Sequence, residues 1–93
     1  MITKEQIEMA KTLWEQARQS AALAHQCWAL VIQSRKALMT SLRQAGFPYS
    51  EATKQFEALM DDHADRYKKA LEQMDNTAKF YGKLLDEFKK MSS

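Results

Sequence analysis

Residues that favour strands and tight turns are scarce in this chain of 93 residues, which contains two Gly, one Pro, one Val and three Ile. Because strands draw on β-branched residues and hairpin turns on Gly and Pro, this scarcity excludes a β-sandwich, a β-barrel and an α/β enzyme. Apolar residues make up 45% of the chain, which is too many for intrinsic disorder. The sequence therefore predicts a single all-α domain over residues 1–93.

Cysteine, net charge and long apolar runs are also in short supply. The only cysteine, Cys27, excludes an intrachain disulfide and a metal site made of cysteines alone. No run approaches the roughly 18 apolar residues of a membrane span, and the polar N-terminus does not resemble a signal peptide. The net charge of +2 is too small to indicate nucleic-acid binding by itself. We expect a cytoplasmic protein with no cofactor and no bound metal.

The chain divides at one segment, Gly46-Phe47-Pro48-Tyr49-Ser50, where Gly and Pro fall together. Gly46 suits the left-handed position that ends a helix, and Pro48 cannot continue one. Ser50 is a suitable N-cap for the helix that follows. These residues predict helix 1 over about residues 3–45, a turn over 46–50 and helix 2 over about 50–91.

Local signals at two other places bear on these helices. Thr3 and Gln6 have the spacing of a capping box, in which each side chain accepts a hydrogen bond from the backbone of the other residue. Asp75 and Gly82 are weak points in helix 2, because both residues have low helix propensity. A break at either place would let the chain fold back as a three-helix monomer.

Residues at alternating intervals of four and three form a stripe on each helix, which is the spacing of helices that pack against each other. The first stripe of helix 1 comprises Thr3, Ile7, Ala10, Trp14, Ala17, Ala21, Ala24, Trp28, Val31, Arg35, Leu38, Leu42 and Ala45. The stripe of helix 2 comprises Tyr49, Ala52 or Thr53, Phe56, Met60, His63, Tyr67, Ala70, Met74, Thr77, Tyr81, Leu84, Phe88 and Met91.

Folding the chain at Pro48 sets these stripes against each other as a long antiparallel helical hairpin. The predicted facing pairs are Ile7 with Phe88, Trp14 with Tyr81, Ala21 with Met74, and Trp28 with Tyr67. Helix 1 mostly supplies alanine where helix 2 supplies Met, Tyr or Phe. Small residues that face large ones let the layers interdigitate at the density of a protein core.

Helix 1 carries a second stripe in heptad phase, about 110° around the helix from the first. It comprises Met9, Leu13, Gln16, Ser20, Leu23, Cys27, Leu30, Ser34, Ala37 and Ser41. No charged residue occurs between Gln19 and Ser34. Helix 2 is also apolar beyond its own stripe, at Leu59, Ala64, Leu71, Ala78, Phe80 and Leu85.

Two apolar stripes on one helix predict two neighbouring helices, and one hairpin supplies only one of them. We therefore expect a second hairpin, most simply another copy of the chain, in an antiparallel four-helix bundle. The alternatives are the three-helix monomer and a different protein as the partner. The expected interaction surface consists of Leu13, Leu23, Cys27, Leu30, Ile32 and Ser34.

Arg35 falls on the first stripe of helix 1, and His63 falls on the stripe of helix 2. Arg35 is expected either to reach outward to Asp61 or Asp62 or to fix register and partner choice, because a charge at a core position costs stability. His63 is expected to be a half-buried core histidine, with a role in register or as a pH-sensitive switch as the alternative. Cys27 is interpreted as a small core residue.

The end of helix 2 carries a possible basic patch made of Lys79, Lys83, Lys89 and Lys90. Runs of charge are usually solvated faces, and the sequence contains no recognised nucleic-acid motif. It also contains no arrangement of nucleophile and base, no catalytic carboxylate pair and no phosphate loop. We therefore expect a non-enzymatic interaction protein, such as an adaptor, chaperone or inhibitor. The alternatives are a surface-active coat protein of lipid or polymer granules and a nucleic-acid accessory protein.

Overall fold

The computed structural model describes residues 1–92, which form three helices and no strand. They are α1 (Lys4–Gln33), α2 (Arg35–Gln44) and α3 (Tyr49–Ser92). The all-α prediction is therefore confirmed. None of the three helices is apolar over a length that could cross a lipid bilayer.

The capping box at the start of α1 is confirmed. The backbone N–H of Thr3 donates to Oε1 of Gln6 at 2.9 Å, and the backbone N–H of Gln6 donates to Oγ1 of Thr3 at 3.2 Å. Each side chain thereby satisfies a backbone donor that would otherwise lack a partner at the helix start.

The prediction of one helix over residues 3–45 is wrong at Ser34, which separates α1 from α2. Ser34 has φ −90° and ψ 10°, outside the helical region of the backbone. The hydrogen bonds on either side persist, since Ser34 N–H donates to the Leu30 carbonyl and Leu38 N–H donates to the Ser34 carbonyl, both at 2.9 Å. Val31, Ile32 and Ser34 have low helix propensity, which favours an interruption here.

Gly46 closes α2 in the left-handed conformation expected from the sequence, with φ +101°. Its N–H donates to the carbonyl of Arg43 at 3.1 Å, and the N–H of Phe47 donates to the carbonyl of Leu42 at 3.1 Å. These two bonds define a Schellman motif, in which the glycine has no Cβ to clash.

Helix α3 begins one residue before the predicted N-cap, so the assignment of Ser50 to that position is wrong. The carbonyl of Pro48 already accepts a bond from Ala52 N–H at 2.9 Å. The fixed φ of proline suits the residue just before a helix, which allows this earlier start. Helix α3 continues without a break through Asp75 and Gly82, so the fold-back of a third segment of helix 2 is also wrong.

The contacts within the chain group into two compact units. Unit 1 contains Met1–Ala22 and the part of α3 from Lys69 onward, and unit 2 contains Leu23–Lys68. In unit 1, the rings of Trp14 and Tyr81 lie 5.8 Å apart. The buried residues of this unit are Ile7, Ala10, Ala17 and Ala21.

In unit 2, the rings of Trp28 and Tyr67 stack with centroids 5.8 Å apart. The ring of His25 meets the edge of Tyr67 at 5.1 Å. The buried residues of this unit are Val31, Ala52 and Phe56. Both predicted aromatic pairs, one in each unit, are therefore confirmed, and every buried residue of the described chain belongs to the first stripe of helix 1 or to the stripe of helix 2.

Candidate interaction surface

The second stripe of helix 1 lies at the protein surface in both units. Met9 and Leu13 of unit 1 are 67% and 45% exposed, and Leu23 and Leu30 of unit 2 are 61% and 62% exposed. None of the buried residues belongs to this stripe. Leaving a large aliphatic side chain in water forgoes about 1.5–3 kcal/mol relative to full burial. The second stripe is therefore an apolar surface without a covering partner in the chain described here.

Unit 1 widens this surface into a groove. A cavity of about 440 Å³ is lined by Met9 and Leu13 from α1, by Phe80 and Leu84 from α3, and by Ile2 ahead of α1. Phe80 is 51% exposed. The groove is thus mostly apolar and open, which is the form of site that receives a side chain of a packing helix.

Sequence reasoning placed Phe80 among the residues that widen the apolar face of α3, but it did not place Phe80 beside Met9 and Leu13. It missed Ile2, because Ile2 precedes the helix, although it lies seven residues before Met9 and so shares its heptad position. The available signal was the predicted pairing of Trp14 with Tyr81, because Leu13 and Phe80 are the residues that precede them in the sequence.

The other predicted surface residues have different surroundings. Ile32 is exposed, but its position in the heptad lies outside the second stripe. Cys27 and Ser34 are half-buried, and Ser34 is the residue that interrupts the helix. The leucines at positions 13, 23 and 30 therefore supply most of the exposed apolar area of the predicted surface.

One edge of the second stripe is polar but uncharged. Thr12, Gln19, Gln26 and Gln33 recur at seven-residue intervals beside it and are all exposed. Side-chain amides both donate and accept hydrogen bonds, so such a row can pair with another uncharged row. Most charged residues of α1, such as Lys11, Glu15 and Arg18, lie farther around the helix.

Arg35 is exposed, and its guanidinium carbon lies 5.6 Å from the centroid of the Phe56 ring. Asp62, one of the two predicted acidic partners, instead pairs with Arg66 at 3.0 Å. A cation above an aromatic face gains electrostatic energy while its head stays in water. His63 is half-buried in α3. Their proposed roles in register and specificity remain predictions.

A second cation–π contact was not anticipated. The guanidinium carbon of Arg18 lies 5.0 Å from the ring centroid of Trp14. The two residues are four positions apart in α1, which places them on neighbouring turns of the same face. That spacing was the signal in the sequence. The contact covers one side of the half-buried Trp14 ring.

The possible basic patch contains a residue that is already paired. Lys79 forms an ion pair with Asp75 at 2.9 Å, and both side chains are exposed. Such surface pairs contribute little stability, but the neighbouring carboxylate weakens the local positive potential. The remaining lysines of the patch, at positions 83, 89 and 90, are exposed on α3.

The geometry of the described residues offers apolar area and uncharged polar groups for binding. Among residues 1–92, no group of three His, Cys, Asp or Glu side chains is placed to hold a metal ion. Comparison with protein-family models, with curated protein sequences and with solved structures finds no match to this chain. The chemistry of the surface must therefore guide any functional assignment.

Proposed function

We propose that the chain is a non-enzymatic protein–protein interaction module. In this proposal it folds as an antiparallel helical hairpin, in which α1 and α2 together run against α3. The contact between Trp14 and Tyr81 in unit 1 and the contact between Trp28 and Tyr67 in unit 2 support this arrangement. The later residue of α1, Trp28, contacts the earlier residue of α3, Tyr67. This is the order expected when two helices run in opposite directions.

The module acts through the second stripe, which packs against helices of another hairpin. The observation that carries this proposal is the exposure of Leu13, Leu23 and Leu30 beside a first stripe whose members include all the buried residues of α1. A native domain is stable by only about 5–15 kcal/mol. The burial energy that several exposed leucines forgo is therefore large compared with the stability of the whole domain. Burial against a partner recovers that energy.

The exposed area is large enough for an interface with a second copy of the chain. The chain exposes 7061 Å², whereas a folded monomer of 10.8 kDa is expected to expose roughly 5,500 Å². The excess of roughly 1,500 Å² is more than the ~800 Å² that each partner buries in an interface of standard size. Two hairpins would then form a four-helix bundle, in which each helix packs against two neighbours.

The mass of the protein in solution tests this proposal. Light scattering over a range of concentrations is expected to give about twice the 10.8 kDa of one chain. Leu23→Glu places a charge in the second stripe and should shift the mass to that of one chain. Ala22→Glu is the matched control, because Ala22 is exposed, adjacent in sequence and about 100° around the helix.

Two results would contradict self-association. One is the mass of a single chain for the unaltered protein at all concentrations. The other is a dimeric mass that Leu23→Glu and Leu30→Glu both leave unchanged. If the protein is a monomer that binds liposomes through the same leucines, the coat-protein alternative replaces the interaction module.

A further inference from the structure

The side chains of the second stripe within α1 differ in size and polarity, and this pattern favours one way of pairing two copies of the chain. The inference rests on the proposed function. The four large side chains of the stripe are Met9, Leu13, Leu23 and Leu30, and between them lie the smaller or polar residues Gln16, Ser20 and Cys27. All of them belong to one unbroken helix, Lys4–Gln33. The stripe is about 32 Å long from Met9 to Leu30 at 1.5 Å per residue.

We propose that two copies of the chain pair through α1 in antiparallel orientation, with Leu13 of each copy facing Leu30 of the other. Heptad spacing then fixes the remaining layers. Gln16 faces Cys27 of the second copy, Ser20 faces Leu23, and Met9 faces Ser34. The two-fold axis passes between Ala21 and Ala22, so the same surface serves both copies.

The first support for this register is the match of side-chain sizes. In the antiparallel arrangement, Leu23 meets Ser20 and Met9 meets Ser34, so a large residue is placed opposite a small one. A parallel pair in register would place Ser20 against Ser20 and Gln16 against Gln16. Layers of facing small or polar residues leave gaps that a close-packed interface avoids.

The second support is the groove of unit 1. Leu13 lines this groove together with Met9 and Phe80, and its volume is about 440 Å³. Because Leu13 faces Leu30 of the second copy, the exposed Leu30 side chain is the one that would enter the groove. Its entry would bury Phe80 as well, which links the surfaces of α1 and α3 in one interface.

The third support is the distribution of charge. Thr12, Gln19, Gln26 and Gln33 lie along one edge of the seam. In the antiparallel register Gln19 comes beside Gln26 of the second copy, and Thr12 beside Gln33. These pairs hydrogen-bond without repulsion, whereas charges at such positions would select a partner of opposite charge. An uncharged edge is therefore complementary to itself.

A shift by one heptad in either direction fits less well. One shift places Leu30 against Ser20 of the second copy, and the other places Leu30 against Gln6. Neither shift places Leu30 against Leu13, which lines the groove of unit 1.

Disulfide formation provides the test, because the chain has one native thiol, on Cys27. Gln16→Cys adds a thiol that should face Cys27 of the second copy. The two positions in one chain are about 16 Å apart along α1, so they cannot bond to each other. Under mild oxidation this variant should give a covalent dimer. The matched control is Ser41→Cys, which also places a second, exposed thiol on the stripe but far from Cys27 of the second copy.

The covalent dimer should form at least about tenfold faster in Gln16→Cys than in Ser41→Cys or the unaltered chain, because facing thiols have a high effective concentration. Light scattering of the reduced variants and their helical circular dichroism accompany the measurement. A dimeric mass without preferential cross-linking of Gln16→Cys overturns the register and leaves the proposed function intact. Rapid cross-linking of the unaltered chain through Cys27 does the same by indicating a parallel pair. A monomeric mass overturns both proposals.

Discussion

Side chains on one face of α1, from Ile7 to Val31, include every buried residue of that helix, whereas those on the neighbouring face, from Met9 to Leu30, include none. The two faces have the same heptad spacing. They differ in what lies against them: α3 contacts the first at Trp14 in unit 1 and at Trp28 in unit 2. Periodicity therefore identifies a face that is able to pack, and the location of a partner helix decides whether it is buried.

The largest expected difference in stability is between alanine variants of two phenylalanines of α3, one buried and one exposed. Phe56 is 5% exposed, and Phe56→Ala should lower the free energy of unfolding by about 3–5 kcal/mol through loss of burial and the cavity that remains. Phe80→Ala should cost less than about 1 kcal/mol in dilute protein and weaken association in concentrated protein. Denaturant unfolding at two protein concentrations measures both effects. If both variants lowered the free energy of unfolding equally, Phe80 would be as well buried as Phe56, contrary to this prediction.

A smaller effect is expected from enlarging alanines. Ala10 is 1% exposed on the first stripe, so Ala10→Leu should destabilise the chain by about 1–3 kcal/mol through overpacking. Ala22 is exposed outside both stripes, and Ala22→Leu should change stability by no more than about 0.5 kcal/mol. Thermal unfolding of the two variants makes the comparison. Tolerance of leucine at position 10 would mean that the first stripe is loosely packed.

The two glycines separate local backbone conformation from packing. Gly46 has φ +101°, so Gly46→Ala should cost about 1–2 kcal/mol because a Cβ is strained there. Gly82 lies within α3 with nothing within 4 Å of an added Cβ, so Gly82→Ala should stabilise the chain by about 0.5–1 kcal/mol. Chemical denaturation of both variants tests the prediction. Destabilisation by Gly82→Ala would indicate a neighbour at that point of α3, such as the second copy.

The smallest effect is expected at Trp28. Its Nε1–H is a buried donor for which no acceptor lies within hydrogen-bond distance among residues 1–92. An unsatisfied buried donor costs about 1–3 kcal/mol, and Trp28→Phe removes it along with part of the ring. The net loss of stability should be below about 1 kcal/mol and smaller than that of Trp14→Phe, which also weakens the contact with Arg18. A larger loss at position 28 would show that the indole N–H has an acceptor in solution.

The sequence predicted much of the local structure because its signals are short in range. The capping box of Thr3 and Gln6 depends on residues three positions apart, and the left-handed Gly46 depends on the absence of a Cβ. The interruption at Ser34 was not predicted, since low helix propensity is a weak signal that heptad spacing on both sides outweighed. The start of α3 was misplaced by one residue because Ser50 is a common cap and Pro48 is an equally suitable neighbour of a helix.

The candidate surface was predicted only in part. The second stripe was found from its spacing, and its leucines are exposed as an uncovered face requires. The groove that joins Met9 and Leu13 to Phe80 could not be found in this way, because it depends on which residues of α3 lie beside α1. The contact between Arg35 and Phe56 likewise depends on the separation of two helices, which the spacing within each helix does not specify.

The sequence by itself determined that the chain is helical, where it turns and which faces are apolar, because these properties follow from the conformational preferences and spacing of neighbouring residues. Tertiary structure alone decided which apolar face is buried, where the groove of unit 1 lies and which charges are paired. Those outcomes depend on distances between residues far apart in the chain. Burial is a property of the pair of surfaces that meet, and one helix read in isolation contains only half of that pair.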